Sequence, residues 1–365
     1  MSKIGIITTH RANNFGATLQ AFSLARSCQE LGAETTIIDW RSPHYEHQYH
    51  SAWRMARNPL PAIKHLLWYL TAESKSRKLF DEFRHALPLS APVCSRRDLE
   101  KIADQYDKFI VGSDQVWNPL NSAYKAEKFD RTFLLDFASG KSKNAYAASI
   151  GLKEISPASL LPEFHEAWNS FDAITMREHT GAEYVSNVLG KEIDTVLDPV
   201  LLHDESFWRN EFPEVRFSGR YLFKYNVRGV AALENFAKKM CRDNGLRIVS
   251  PLIPSNNYMF RKGDLNMGPR EFLAAIYDSN CVVTSSFHAA AFSVIFGKRL
   301  YLIRRFSAAD PNSRFDTLFA FARLRPEKIE ETREYEIVMV DCSNADYDSI
   351  QNERNMSLQK LNRML

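Results

Sequence analysis

Short β-rich runs alternate with helical stretches along this chain, and the alternation starts twice. Lys3–Thr8 is a compact apolar run, and a polar loop from His10 to Asn14 leads through Phe15 and Gly16 into Ala17–Leu31. There apolar residues recur at helical spacing until Gly32, and Thr35–Trp40 is the next β-rich run. Strand, loop, helix and strand in immediate succession form a βαβ unit, which demands parallel strands and a crossover helix. The rhythm resumes at Tyr106–Val111, with a turn at Gly112, and continues through Asn144–Ile150, closed by Gly151. Phe171–Thr175, a helix over 180–189 and Asp194–Val196 follow, before the turn Leu197, Asp198, Pro199. A second series begins at Tyr221: a helix over 230–244, the strand Arg247–Pro251, a helix over 269–279, the strand Cys281–Ser285, a helix over 288–296 and the strand Leu300–Ile303.

The polar, aromatic connector over 203–219 separates the two series and puts a boundary near 203–218. The chain therefore reads as α/β: a first Rossmann-like domain over 1–205, a second over 218–340, and a polar helix over 345–365 that leans back on the first. Residues 41–100 break the pattern and read as a pair of helices, a helical insertion over about 50–100 that caps the first domain or forms part of its cleft. Two Rossmann-like domains facing across a cleft is the GT-B-like plan, in which a ligand sits at the carboxyl ends of the strands. A length of 365 residues suits two domains of ordinary size.

Bulk chemistry excludes several classes of function. Net charge is +3, from 47 basic and 44 acidic side chains, so nothing points to a dedicated nucleic-acid binder. The five cysteines, Cys28, Cys94, Cys241, Cys281 and Cys342, are odd in number and widely spaced, which argues against a disulfide framework or zinc site. Most read as small core hydrophobes. His10, His44, His47 and His50 have no carboxylate or cysteine at ligand spacing, so they read as a solvated loop and no metal site is expected. The first ten residues hold too short an apolar run for a signal peptide, and no stretch of about 18 apolar residues appears, so the expected compartment is a reducing cytoplasm. Between residues 51 and 80 there are six Lys or Arg and one acid, interleaved with aromatics. Such a run suits peripheral contact with an anionic membrane face, and it equally suits the solvated face of a cap helix pair, the preferred reading.

Three segments concentrate groups that could carry chemistry. In 281–300 (CVVTSSFHAAAFSVIFGKRL) an apolar strand runs into Ser285 and Ser286, then Phe287 and His288, then an apolar helix. A histidine at a helix amino end sits where free N–H groups and the helix dipole favour an anion, and it can serve as acid or base. The same pattern also describes a hydroxyl-rich cap beside a packed histidine. In 111–119 (VGSDQVWNP) a strand delivers Ser113, Asp114, Gln115 and Trp117 in quick succession. This is either a binding loop or an Asx-type turn with Trp117 as a core plug. The first loop offers Asn13, Asn14 and Gly16, without the G-x-G-x-x-G spacing of a dinucleotide site, although Asp39 ends the second strand as in such folds. Arg177 follows one strand and precedes a helix, where it can clamp an anion bidentately or pair with Glu178 on the surface. Ser149, Gly151 and Asp198 are strand-end groups with turn or cap roles, and Arg314 is a lone candidate anion contact.

In order, the pieces NNFGATLQAFSL, VGSDQVWNP, YAASIG, MREHTG, VLDPVLL and TSSFHAAAFSVIFGK, followed by SRFDTLF, span residues 13–319. Together they resemble the polysaccharide pyruvyl transferases, in particular the branch with GSDQVWNP and Ser-Phe-His. The resemblance implies a GT-B-like fold and transfer of an enolpyruvyl unit from phosphoenolpyruvate to a saccharide, as a pyruvate ketal. It implies no cofactor beyond phosphoenolpyruvate as co-substrate, and an acceptor of the cell-surface or exopolysaccharide type, such as one carried on a lipid at the inner face of the membrane. By position it makes His288 the acid/base and Arg177 the anion clamp. Ser285, Ser286, Phe287, Arg314 and Lys298 fall on the donor side, and Asn13, Asn14, Gly16, Ser113, Asp114, Gln115 and Trp117 on the acceptor side. Other members have Arg-Leu-His where this chain has Ser286, Phe287 and His288, so the cation of that arginine must come from Arg314, Lys298, Arg177 or backbone N–H groups. Two alternatives stand beside this reading: a nucleotide-sugar glycosyltransferase on the same plan, and a saccharide-binding relative without catalysis.

Overall fold

The computed structural model describes residues 1–41, 74–119, 131–152, 155, 162–227, 229–252, 264–306 and 312–365. The histidines at 44, 47 and 50 and most of the basic run at 51–80 lie outside the described residues, as does the first of the two helices expected in the insertion.

The first sheet is built from β1 (Lys3–Ile7), β2 (Glu34–Ile37), β3 (Lys108–Asp114), β4 (Ser142–Ala148), β5 (Ala173–Met176) and β6 (Asp194–Thr195). Its order is β2-β1-β3-β4-β5-β6, and every pair is parallel. The helices among these strands are α1 (Phe15–Glu30), α2 (Ser74–Arg84), α3 (Arg96–Ala103), α4 (Pro162–Trp168) and α5 (His179–Leu189). A short 3-10 turn (Pro199–Leu202) and α6 (Glu205–Asn210) lead to the second sheet. That sheet comprises β7 (Tyr221–Tyr225), β8 (Arg247–Pro251), β9 (Asp264–Leu265), β10 (Cys281–Thr284), β11 (Arg299–Arg305), β12 (Glu327–Glu331) and β13 (Tyr335–Asp341), in the order β12-β13-β11-β10-β7-β8-β9. Between them run α7 (Ala231–Asn244), α8 (Pro269–Tyr277), α9 (Phe287–Ile295) and α10 (Ser313–Phe321), and α11 (Tyr347–Met364) closes the chain. The fold is α/β, with two Rossmann-like sheets on the GT-B-like plan.

Buried parallel strands read as continuous apolar runs, which is why β1, β3, β4, β7 and β10 were recognisable. The hairpin β12–β13 has no such signature. It is antiparallel, β12 is an edge strand, and all five of its residues (EKIEE) are exposed, so no apolar alternation marks it. One expected turn is absent. β3 does not stop at Gly112 but pairs with β4 as far as Asp114, opposite Ala148. Gly112 has φ +116, and a Cβ there would lie 2.2 Å from the Tyr146 carbonyl oxygen, so only glycine lets the strand pass.

The two sheets share one continuous core. Ile4, Leu19 and Phe22 of the first half cluster with Phe272, Val282 and Phe292 of the second. Phe15 stacks on Phe272 at 4.5 Å between ring centroids, with Tyr225 edge-on at 5.6 Å. α1 is buried on nearly every side because β2, β3, the 3-10 turn, α8 and α9 all pack against it, which suits its run of Ala, Leu and Phe. α11 leans back on the end of the first sheet: Leu197 N–H donates to Ser357 Oγ at 3.1 Å, and Arg354 Nε donates to the Leu201 carbonyl at 2.9 Å. Of the five free cysteines, Cys28, Cys281 and Cys342 are buried, whereas Cys94 is exposed rather than a core residue.

Candidate active site

In each sheet the strand order reverses at one place: between β1 and β3 in the first, and between β7 and β10 in the second. Loops leaving the carboxyl ends of strands at such a switch point diverge and leave room for a ligand. The segments after β1, β3 and β10 are the three singled out in the sequence, and the structure brings them together around His288.

Ser286 starts α9 as its N-cap, its Oγ accepting from Ala289 N–H, and its own N–H donates to Thr284 Oγ1 at 3.0 Å. His288 therefore stands in the first turn of α9, 6% exposed. Its ring lies against the start of α1: a Cβ on Gly16 would fall 2.0 Å from His288 Nδ1, so these two segments can approach only because residue 16 has no side chain. The opposite nitrogen, Nε2, lies 3.6 Å from Asp198 Oδ2 and has no hydrogen-bond partner. Ser285 Oγ, at the end of β10, is also buried without a partner. Gly16→Ala is expected to force His288 or the start of α1 aside and to lower stability by about 1–3 kcal/mol. A denaturant melt measures this, and a wild-type midpoint would show that the ring has room to swing away.

Asp198 follows β6 and is fully buried. Its Oδ1 caps the 3-10 turn by accepting from Val200 N–H at 3.1 Å, the cap role expected from sequence. Its Oδ2 accepts from Arg177 Nη1 at 2.8 Å and lies 3.2 Å from Ser113 Oγ. Arg177 leaves the end of β5 and is 2% exposed. Nη1 and Nη2 also reach Asp114 Oδ1 at 3.3 Å, and Nε is 3.9 Å from Glu178 Oε2. Arg177 is thus neither the surface ion pair nor the open anion clamp expected from sequence. It is a buried hub between two carboxylates. Burial by itself would raise the Asp198 carboxyl, but His288 and Arg177 outweigh it and hold the group well below the usual carboxylate range. Asp114 is shifted the same way: burial opposes, and Arg177 and His288 prevail. Burial would lower the Arg177 guanidinium, yet Asp198, Asp114 and Glu178 raise it.

Phe287, 4% exposed, has two guanidinium groups against its ring, with Arg177 Cζ 4.7 Å and Arg314 Cζ 5.5 Å from the centroid. Arg314 projects from the first turn of α10 and so reaches the same centre from a third direction. Lys298 does not reach it. It lies beyond the far end of α9, roughly 13 Å of helix from the cap at 1.5 Å per residue, with its ammonium 5.1 Å from the Tyr277 ring centroid.

Among the residues expected on the acceptor side, Ser113 and Asp114 belong to this centre and Trp117 does not. Trp117 is fully buried, packs on Trp168 and Phe171, and donates its indole N–H to the Phe133 carbonyl at 3.0 Å. It is the core plug that the sequence also allowed. Gln115 is in the turn after β3, its Oε1 accepting from Asn118 Nδ2 at 3.1 Å and its amide against Gly151. Asn14 caps α1 through Oδ1, and Asn13 Oδ1 accepts from Arg84 Nη2 at 2.6 Å. Both asparagine oxygens thus hold the loop in shape.

Several residues that shape the centre carry no local sequence signature. Gln20, buried inside α1, takes the Ser113 N–H at 3.0 Å and donates to Thr8 Oγ1 at 2.7 Å, locking β1, α1 and β3 together. A glutamine among the apolar residues of NNFGATLQAFSL is the one available hint. Arg84 donates to the carbonyls of His10, Arg11 and Ala12 and so anchors the first loop. Glu178 Oε1 accepts from Ser149 Oγ at 3.0 Å and from the Ile150 and Gly151 N–H groups. His10 is not in a solvated loop: it is fully buried, with Nε2 3.2 Å from Asp39 Oδ1. Burial would raise the Asp39 carboxyl, but His10, Arg41 and Arg11 hold it low, so Asp39 is committed to this cluster rather than to a ribose. Among the described residues no group of three or more His, Cys, Asp or Glu is placed to hold a metal ion, and no helix is long and apolar enough to cross a membrane.

Comparison with solved structures returns similar chains at low identity. A UDP-GlcNAc 2-epimerase from Methanocaldococcus jannaschii has a TM-score of 0.49 at 12% identity, over 87% of this chain and 92% of that one. A UDP-GlcNAc 2-epimerase from Neisseria meningitidis, bound to UDP-GlcNAc, has a TM-score of 0.46 at 10% identity, over 88% of this chain and 91% of that one. An alpha-glucosyltransferase in complex with UDP and a 13-mer DNA has a TM-score of 0.48 at 10% identity, over 99% of this chain and 95% of that one. A search of curated proteins gives no match. The model of the polysaccharide pyruvyl transferase family matches residues 14–305, from the cap of α1 to the last residue of β11. That span is well over half of the chain and contains Gly16, Ser113, Arg177, Asp198 and His288, so this protein belongs to the polysaccharide pyruvyl transferase family.

Proposed function

We propose that this chain transfers the enolpyruvyl unit of phosphoenolpyruvate to two hydroxyls of a saccharide, forming a pyruvate ketal and releasing phosphate. The observation that carries the reading is His288 itself, an imidazole more than nine-tenths buried in the first turn of α9, set between Gly16 of the first loop and the Asp198 carboxylate 3.6 Å away. Phosphoenolpyruvate brings a carboxylate and a phosphate. First-turn amides of α9, which have no intrahelical partners, and the positive end of the helix dipole suit one of these anions. Arg314, seated on Phe287 close to the cap, supplies the cation that Ser286 does not. Arg177 contributes by fixing the carboxylates around it. Ser113 and Asp114, together with the loop of Asn13, Asn14 and Gly16, approach from the other sheet and suit the hydroxyl-rich acceptor.

The chemistry follows from the donor. His288 gives a proton to C3 of the enol ether, which makes C2 electrophilic. One sugar hydroxyl adds to C2, the C2–O bond to phosphate breaks, and a second hydroxyl closes the ketal. Two hydroxyl protons are released; one restores His288 and the other leaves with phosphate, so the step needs no oxidant and no further reactant. A cytoplasmic site with an acceptor carried on lipid at the membrane face completes the proposal.

Thermal-shift titration tests the donor. Phosphoenolpyruvate at 100 times its dissociation constant is expected to add about 2.7 kcal/mol, a shift of a few degrees, with no response to UDP- or GDP-sugars. A response to a nucleotide sugar and none to phosphoenolpyruvate would overturn the reading and make the chain a glycosyltransferase.

A further inference from the structure

The two ring nitrogens of His288 face different surroundings. Nδ1 is directed at the start of α1, where Gly16 leaves space for it. Nε2 is directed inward at Asp198 Oδ2, 3.6 Å away, and has no other partner. We infer that Asp198 is the positioning residue of the site: it keeps a proton on His288 Nε2 and thereby leaves Nδ1 as the nitrogen that exchanges a proton with substrate. The inference rests on the acid/base reading of His288.

The argument is one of matching donors to acceptors. Asp198 is fully buried and its Oδ1 is fixed by Val200 N–H, so the carboxylate cannot rotate away without uncapping the 3-10 turn. Its Oδ2 already collects Arg177 Nη1 and faces Ser113 Oγ. A bare Nε2 would set a lone pair against a carboxylate oxygen inside the protein, 3.6 Å away. A protonated Nε2 sets a donor against an acceptor. The charged groups around the ring agree: Asp198 after β6 and Asp114 at the end of β3 are anionic, and Arg177 after β5 balances them. Arg314 of α10 stands beyond the Phe287 ring. A gap of 3.6 Å is longer than a hydrogen bond, and catalytic pairs without substrate are commonly loose in this way. Sequence separation hid the pairing, since the two residues are ninety positions apart.

The test needs neither phosphoenolpyruvate nor an acceptor, so it can fail independently of the donor assignment. The ring nitrogens are read by 15N-resolved NMR of the full chain across pH 6 to 9, with His288 identified as the resonance missing in His288→Gln. The expected result is a single Nε2–H tautomer of the neutral ring. A tautomer mixture like that of a free imidazole, or a dominant Nδ1–H form, overturns the inference. Asp198→Asn provides the second arm. Where it folds, the tautomer preference should be lost, and an unchanged Nε2–H population would show that Asp198 does not set it. Where it does not fold, the wild-type spectrum alone decides.

Discussion

His288→Gln is expected to lower phosphate release from phosphoenolpyruvate in the presence of acceptor by about 10²- to 10⁴-fold, the range that a positioned general acid or base supplies. Glutamine approximates the length of histidine, keeps a hydrogen-bonding group in the first turn of α9, and leaves the Ser286 cap untouched. Fold and donor affinity should therefore change little, and the loss should fall on kcat rather than KM. The reason is the separation of roles in the site. In the proposed function the donor anions fall to the α9 amides and Arg314, which the substitution spares, whereas protonation of C3 has no substitute group at the same place. Arg177, which the substitution leaves in place, still favours the ionised forms of Asp198 and Asp114, so neither is suited to deliver the proton. Steady-state kinetics with matched melting curves decide the point. Wild-type turnover in a folded variant would remove His288 from the chemistry.

Much of this site is legible in the sequence because it stands on loops at strand ends. Ser285, Ser286 and His288 follow an apolar strand, Ser113 and Asp114 are the last residues of another, Asn14 and Gly16 follow a third, and in a doubly wound fold such strand ends converge. What is not legible is the pairing that turns convergence into a site. Arg177 is 63 residues from Asp114 and 21 from Asp198, and local pattern has no access to contacts at that range. Hence a buried three-way pairing read as either a clamp or a surface bridge. Two residues that the resemblance puts in the site lie outside it. Trp117 is two positions past Gln115, but the turn after β3 sends its ring under the sheet toward Trp168. Lys298 is close to His288 in the chain, yet a whole helix separates them in space. The strands show the same split. β1 and β10 announce themselves by buried apolar runs, whereas β12 lies at an exposed edge and carries only charge and one isoleucine.

Arg177→Met is the substitution expected to cost most in stability, about 3–5 kcal/mol at pH 7, the usual penalty for stranding buried charge. The guanidinium is 1% exposed, and removing it leaves Asp198, also fully buried, with Ser113 Oγ, the Val200 amide and the His288 imidazole 3.6 Å away. For a domain whose whole stability is about 5–15 kcal/mol, that loss approaches unfolding. The pH dependence distinguishes charge from packing. In the wild type the folded-state values of Asp198 and Asp114 lie below their unfolded values. Their contribution is therefore fully present above about pH 4, the unfolded value, and is lost as pH falls through the folded one. Without Arg177 the largest force opposing ionisation, burial, is no longer offset by the nearby guanidinium, so the folded-state values rise. Protonation then relieves the variant, and its deficit against wild type should be greatest at neutral pH and narrow as the solution is made acidic. Arg177→Lys retains the charge but not a planar fork able to reach two carboxylates, and should fall between the two. Denaturant melts of the three proteins at pH 7 and pH 5 measure this directly. A deficit below about 1 kcal/mol, the scale of an exposed pair, would mean that the buried hub is not what holds the carboxylates in place.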